Sequence, residues 1–468
     1  MVKVVLVIAD TLRRDHVSVY GNAPWGKIHT PNLARFATDA AVFDHAYIGS
    51  FPTGPMRRDT VLGYAPEGEA FNGWTLLLKE EATFLKELTA KKIPSMLVTD
   101  VQNNVRQKPL YHRDFTAFQL IRGQEGDPCW QDQNVPLEFS VPHELIRYRA
   151  QMWHQILTNR AHRRVESDWL APQVFSKAMD WLECNYRRKD FFLMIDSFDP
   201  HEPWDPPQHY IDMYDPGYKG RVIESPPAGL RKAMGITDRE LKHMRARYAA
   251  EVTMVDTWFG QLLEKIEQLG ISDDTMILFT SDHGNPMAGP GDFGLVRKPI
   301  VIGADGLMAS AGRPGKSPKQ YFPLSLNTTR VPLIVRIPRR NTTRRVASIV
   351  QPWDLSATVL DAFNISVPKR IKGASMLPLL KGKAKGVRDC AFSGGHCSIV
   401  QATGTRWMYS VWHEKDGRSP VLFDRKTDPN CTKNVVKKEP AAARRIHNKV
   451  VAYMRSQGIS DDIIAGYS

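Results

Sequence analysis

Four stretches of this chain carry side chains whose types and spacing suit chemistry at one shared centre. Asp10 ends the apolar run Val4–Ala9, and Asp282 with His283 closes the run Thr275–Thr280. Asp199 and His201 follow the run Phe191–Ile195. Two carboxylates and an imidazole suit a divalent ion such as Zn²⁺ or Mn²⁺, whereas Ca²⁺ or Mg²⁺ prefers an all-oxygen shell. The fourth stretch, Ser50-Phe-Pro-Thr53-Gly-Pro-Met-Arg57, sets a hydroxyl four residues before an arginine. At a helix N-terminus the Thr53 hydroxyl, activated by a metal, would attack phosphorus or sulfur. Arg57 and the helix dipole would hold the anionic oxygens.

The elements that must position these groups follow from hydrophobic patterning. Val4–Ala9 is a β-branched run without alternation, as expected for a strand buried on both faces of a parallel sheet. Ser95–Thr99, Phe191–Ile195, Thr275–Thr280 and Val331–Arg336 read as further strands. Helices are expected from Thr30-Pro31, over 80–91, over 173–185, from about 238 to 269, over 354–363 and near 441–454. Strands alternating with helices predict an α/β fold: a central, mainly parallel sheet flanked by helices, with a smaller C-terminal α+β subdomain. We place the catalytic domain at 1–390 and the subdomain at 391–468, where short strand-like pieces precede the last helix. In such folds functional groups gather at the carboxyl ends of strands, which is where three of the four stretches stand. Residues 205–235 and 285–325 are rich in Pro, Gly and charge and read as long lid or wall loops. Trp130, Trp153, Trp169 and Trp204 are candidates for an aromatic pocket, although tryptophans more often belong to the core.

The 468 residues carry a formal net charge of +13. Such a field attracts a small anionic ester substrate. The basic runs, Arg336 to Arg345 and Lys433 to Arg445, lack interleaved aromatics, so no nucleic-acid partner is expected. Five scattered cysteines form no CxxC pair, which fits reduced thiols and a cytoplasmic location. No apolar run is long enough to span a bilayer and no signal segment is evident, so no membrane partner is expected. A homo-oligomer is compatible with this reading.

The assembled motifs resemble the sulfatase branch of the alkaline phosphatase superfamily. Asp10-Thr-Leu-Arg-Arg-Asp, Tyr20-Gly21 and Thr30-Pro-Asn-Leu resemble the family's opening. Its nucleophile motif is Cys or Ser, any residue, Pro, any residue, Arg, with Gly ten positions after the nucleophile. Thr53, Pro55, Arg57 and Gly63 fit that register; Ser50 does not, because Gly54 stands where Arg is required. Asp199-Pro-His201-Glu-Pro-Trp204 resembles the substrate-histidine motif, and Thr280-Ser-Asp282-His283-Gly284 the late metal-ligand motif. Lys298 stands near the family's second lysine, and Arg330 to Val335 and Leu422 to Pro429 resemble its closing strands.

The resemblance implies a metal held by Asp10, Thr53, Asp282 and His283, with Thr53, Arg57, His201 and Lys298 as catalytic groups. It also implies departures. Sulfatases mature Cys or Ser to formylglycine, but a threonine would give a ketone, so Thr53 would act as a plain alkoxide. That favours phosphate diesters or phosphonate monoesters over sulfate esters, with a sulfatase lacking formylglycine or a silent binding protein as alternatives. Thr11 replaces the usual second early aspartate. One divalent ion is expected, Mn or Zn before Ca or Mg; a second would draw on Asp199, His201 and His396. Lys298 favours the single ion, since a fixed cation does a second metal's electrostatic work.

Overall fold

The computed structural model describes residues 2–65, 77–106, 110–296, 301–302, 320–321, 323–339, 342–395, 399–413 and 419–467. Lys298 and His396 lie outside the described residues, as does most of the expected 285–325 lid. Among the described residues, nine strands form one sheet in the order Arg330–Val331, Ala41–Tyr47, Leu333–Arg336, Thr275–Ser281, Lys3–Ala9, Phe191–Ser197, Ser95–Thr99, Ala117–Leu120. Arg344–Val350 pairs with Ala41–Tyr47 off this path. The five strands from Thr275–Ser281 to Ala117–Leu120 are parallel. Leu333–Arg336 is antiparallel to both its neighbours, so the sheet is mixed but mainly parallel.

The apolar run of Lys3–Ala9 explains the layering. Val5, Val7 and Ala9 enter one core, with the helices Leu170–Asn185 and Asp238–Gln268 packed on it. Val4, Leu6 and Ile8 enter the other, beneath Thr53–Leu62, Leu85–Ala90 and Pro352–Ala362. Both faces are covered, which is why this strand shows no polar alternation. The long helix begins at a capping box, with Thr237 Oγ1 accepting from the Glu240 amide and Glu240 Oε2 accepting from the Thr237 amide.

Several elements differ from expectation. The helix expected over 80–91 is only Leu85–Ala90. The strand expected at Val331–Arg336 is broken at Pro332 into two, because proline cannot donate to the ladder. Phe191–Ile195 continues to Ser197, carrying Asp196 inside the strand. Trp204 and Trp153 are core residues, while Trp130 is half exposed. Among the described residues, no helix is long and apolar enough to cross a membrane.

A second sheet runs Val421–Asp424, Trp407–Trp412, Ile399–Gly404, Cys390–Gly395, Ser50–Phe51. The two residues just before the expected nucleophile helix therefore form its edge strand, paired with Gly394 and Gly395. Helix Pro440–Ser456 packs on this sheet through Ile446, Val450 and Met454.

Candidate active site

Parallel register brings the strand ends level. Ala9 pairs with both Ser197 and Ser281, so Asp10 and Asp282 leave the sheet side by side. Ligand atoms of Asp10, Asp282 and His283 lie within 4.8 Å of one another, and all three residues are buried. Among the described residues this is the one such cluster of three Asp, Glu, His or Cys side chains. Thr53 is the first residue of helix Thr53–Leu62, and its Oγ1 stands 3.3 Å from His283 Nε2. His283 Nδ1 meets the Gly284 carbonyl at 2.9 Å. That contact makes Nδ1 the protonated nitrogen, so Nε2 carries the lone pair toward Thr53.

Backbone geometry is tightly held here. Thr11 has φ of 56°, a left-handed conformation that a β-branched residue rarely adopts. Its amide donates to Asp282 Oδ1 at 2.9 Å, and its carbonyl accepts from the Tyr248 hydroxyl at 2.7 Å. Gly284 has no room for a side chain, since a Cβ would fall 1.8 Å from the Asn327 carbonyl oxygen. Gly63 caps the nucleophile helix at φ 77°, where a Cβ would press on Ile371 and Ser356.

Arg57 is fully buried and turned inward. Its Nε and Nη2 bind Asp196 at 2.9 and 2.7 Å, and Nη1 lies 2.6 Å from Asp282 Oδ2 and 3.1 Å from Asp10 Oδ2. The sequence led us to expect this arginine on substrate oxygens. Instead its donors meet protein carboxylates, because three buried acids lie within 3.1 Å of its guanidinium nitrogens. Burial opposes the Arg57 charge, but Asp196, then Asp282 and Asp10, hold it protonated. Asp196 itself was legible only as an acid interrupting the run Phe191–Ser197, a pattern that a strand end also produces.

The charges do not balance within the protein. Three carboxyl groups face one guanidinium, so the cluster is short of positive charge whenever more than one of them is ionised. Burial and the charge of Asp282 push Asp10 well above the ordinary carboxylate range. Both Asp10 carboxylate oxygens and Thr11 Oγ1 are closed from solvent and have no hydrogen-bond partner; Arg57 approaches Asp10 Oδ2 without the alignment for a hydrogen bond. An excess of carboxyl groups over cations, orphaned oxygens and a lone-pair nitrogen together fit a divalent cation bound by Asp10, Asp282 and His283, with Thr53 and Thr11 Oγ1 adjacent.

Asp199 and His201 are not among the three clustered ligands. Asp199 accepts from the Ala171 amide at 3.3 Å, and burial, then Asp205, raises it to about 6. His201 is buried and stacks on Phe198 with ring centroids 4.2 Å apart. Its Nδ1 lies 2.6 Å from the Glu202 carbonyl, which leaves the lone pair on Nε2.

One further acid fixes the approach to Thr53. Asp59 accepts from the Ser50 amide at 2.6 Å and from Ser50 Oγ at 3.2 Å, and burial pushes it up to about 7. Its folded-state pKa thus exceeds the unfolded value of about 4. The folded chain holds the extra proton, so this group's stabilisation is complete below about pH 4 and is lost as pH rises toward 7. Asp59→Asn keeps an acceptor for Ser50 and removes the titration. Urea unfolding between pH 4 and pH 8 should show a flatter decline for the variant; matching slopes would refute this origin.

Comparisons with known proteins agree with the geometry. The family model "Sulfatase" matches residues 3–365, and "N-sulphoglucosamine sulphohydrolase, C-terminal" matches 324–457. An arylsulfatase of Clostridium perfringens is 24% identical over 478 residues, covering 93% of this chain and 90% of that one. Arylsulfatase K of Xenopus laevis is 24% identical over 229 residues, but the match spans only 46% of this chain and 38% of that protein. Among solved structures, a phosphonate monoester hydrolase of Agrobacterium radiobacter superposes with a TM-score of 0.70 at 19% identity, covering 99% and 97% of the two chains. With its Sulfatase match spanning most of its length, its α/β sheet and its level Asp10 and Asp282–His283 strand ends, the chain belongs to the sulfatase family.

Proposed function

We propose that this protein is a metal-dependent hydrolase of phosphate diesters or phosphonate monoesters in which Thr53 is the nucleophile. The observation that carries this reading is the 3.3 Å approach of Thr53 Oγ1 to His283 Nε2, beside the Asp10–Asp282–His283 cluster. When bound by Asp10, Asp282 and His283, a divalent cation, Mn or Zn by its donor set, supplies Lewis-acid polarisation of the ester and eases ionisation of a nearby hydroxyl. Thr53 Oγ1, its proton released to bulk water, attacks the phosphorus; the bond from phosphorus to the leaving oxygen breaks, and that oxygen takes the electron pair and a proton from His201 or water. The resulting phosphoryl- or phosphonyl-threonine is released by water. Helix Thr53–Leu62 directs its amide dipoles at the forming charge. His201 serves as hydrogen-bond partner to the substrate, or as proton donor to the leaving group when its ring is doubly protonated and Nε2 carries a proton. Arg57 acts from behind, holding Asp10 and Asp282 in place through its own clamp on Asp196.

A second reading, sulfate-ester hydrolysis, is supported by the arylsulfatase relatives and by the family itself. Against it stands Thr53, whose Cβ methyl prevents conversion to an aldehyde. Parallel assays on an aryl sulfate, a phosphate monoester, a phosphodiester and a phosphonate monoester separate the two. The phosphodiester or phosphonate should give the highest kcat/KM. A sulfate preference of orders of magnitude would refute the lead reading and leave the alternative.

A further inference from the structure

A cluster of arginines on one edge of the main sheet is left unused by the catalytic centre. Arg14, Arg330, Arg345 and Arg425 come from four separate stretches of chain and meet around the strand Ala41–Tyr47. Arg345 is ion-paired with Asp44, and Arg14 Nη2 lies 3.5 Å from Asp44 Oδ1. Arg330 Nε donates to the Asp44 backbone carbonyl at 2.8 Å. The Arg14 guanidinium sits 4.0 Å from the centre of the Tyr20 ring, and that of Arg425 sits 5.9 Å from the Tyr47 ring. Asp44 is the one carboxylate ion-paired with this group among the described residues.

Arg14 and Arg345 share the Asp44 carboxylate, while Arg330 meets the Asp44 backbone carbonyl and Arg425 the Gly404 carbonyl, so a surplus of positive charge remains in a half-buried place. Its effect is visible on the neighbours. Burial, then Arg330, lowers Arg14 to about 10; burial, then Arg330 and Arg425, lowers His45 to about 4. His45 is therefore neutral at physiological pH and adds no charge of its own. Arg345 donates to Asp44 and the Val19 carbonyl, Arg330 to the Asp44 carbonyl and Arg425 to the Gly404 carbonyl, but several polar atoms of the cluster have no acceptor. Arg14 Nε, His45 Nδ1, Arg425 Nε and the Tyr47 hydroxyl are closed from solvent without a hydrogen-bond partner, and Tyr47 is 1% exposed. Surplus charge together with orphaned donors calls for an oxyanion, and guanidinium forks match sulfate and phosphate geometry.

The cluster lies beside the catalytic centre. Val42 pairs with Ile334, which pairs with Phe279, and Ala41–Tyr47 runs in the same direction as Thr275–Ser281. Three residues further along each strand, His45 stands level with Asp282, two strands away. Two strand spacings amount to about 10 Å. Arg14 is four residues from Asp10, which limits their Cα separation to about 14 Å. The Arg345 side chain is half exposed, so an anion can reach the cluster from solvent.

We propose that Arg14, Arg330, Arg345 and Arg425 form a second oxyanion subsite, which binds a sulfate or phosphate group of the substrate other than the one cleaved. The substrate class is then a doubly anionic ester with its charged groups on the order of 10 Å apart. The assignment of the anion to the substrate rests on the hydrolase reading of the centre; the existence of the anion site does not. Two measurements keep these apart.

In the first, inorganic sulfate and inorganic phosphate are titrated calorimetrically at low ionic strength into the wild type, Asp10→Asn and the double variant Arg14→Gln/Arg345→Gln. One binding event should survive in Asp10→Asn and weaken at least about tenfold in the double variant. Added sodium chloride should shrink that difference by screening. Affinity unchanged in the double variant, or lost in Asp10→Asn alone, overturns the site. If the double variant does not fold, Arg345→Gln alone, at the more exposed position, carries the same test. In the second, kcat/KM is compared for esters with and without a second sulfate or phosphate. The arginine variants should lose about tenfold of the preference for the doubly charged ester and keep turnover of the singly charged one. Equal losses on both overturn the assignment to substrate. Absence of turnover on every ester would defeat the hydrolase reading alone, since the titration still decides the anion site.

Discussion

Thr53→Ala should lose ester hydrolysis by a factor of at least ~10³ while the protein folds and binds metal as before. The asymmetry follows from what Oγ1 contacts. It lies 3.3 Å from His283 Nε2, whereas Asp10, Asp282 and His283 are held by the sheet, by Arg57 and by backbone amides that the substitution leaves alone. Thr53→Ser keeps a hydroxyl at the helix N-terminus and should retain most turnover. Rapid quench and intact-mass measurement on the wild type should trap one phosphoryl-type group on Thr53, and none on the alanine variant. Undiminished turnover by Thr53→Ala would remove Thr53 from the mechanism.

The second large effect concerns Arg57. In a metal-free preparation, Arg57→Met leaves Asp10, Asp196 and Asp282 buried without their one cationic partner. Breaking such a pair costs about 3–5 kcal/mol, so urea unfolding under chelator should shift strongly. A divalent ion should recover part of the loss, because it supplies positive charge to the same carboxylates. Binding at a hundredfold excess over Kd contributes about 2.7 kcal/mol to any protein that takes it up only when folded. Asp196→Asn combined with Arg57→Met should be milder than Arg57→Met alone, because one stranded charge is gone. A loss below about 1 kcal/mol for Arg57→Met, or no response to divalent ions, would contradict a centre whose carboxyl groups outnumber its cations.

Much of this architecture was legible because the signals were local. Val4–Ala9, Thr275–Thr280 and the long helix near 238–269 show their type in hydrophobic patterning, since each is buried in a way that its own composition reveals. The strands Ala41–Tyr47 and Arg344–Val350, as long as Lys3–Ala9, are not evident in the sequence. They carry exposed or half-exposed polar residues such as Asp44, His45 and Arg344, and their pairing depends on partners hundreds of positions away.

The same division runs through the catalytic centre. By itself the sequence determined which side chains were available there: Asp10, Asp282 and His283 at strand ends, and a threonine where family members mature another residue to an aldehyde. Strand ends are written locally, in the switch from apolar run to polar turn, and a side chain's covalent chemistry needs no neighbours to define it. Only the tertiary structure decided what each group faces. It turned Arg57 inward onto three acids, gave Asp196 a partner, aimed His283 Nε2 at Thr53, and gathered Arg14, Arg330 and Arg345 around Asp44. Those contacts arise from strand order and register, which are set by pairing across long stretches of chain, and no local pattern records which buried charge will meet which.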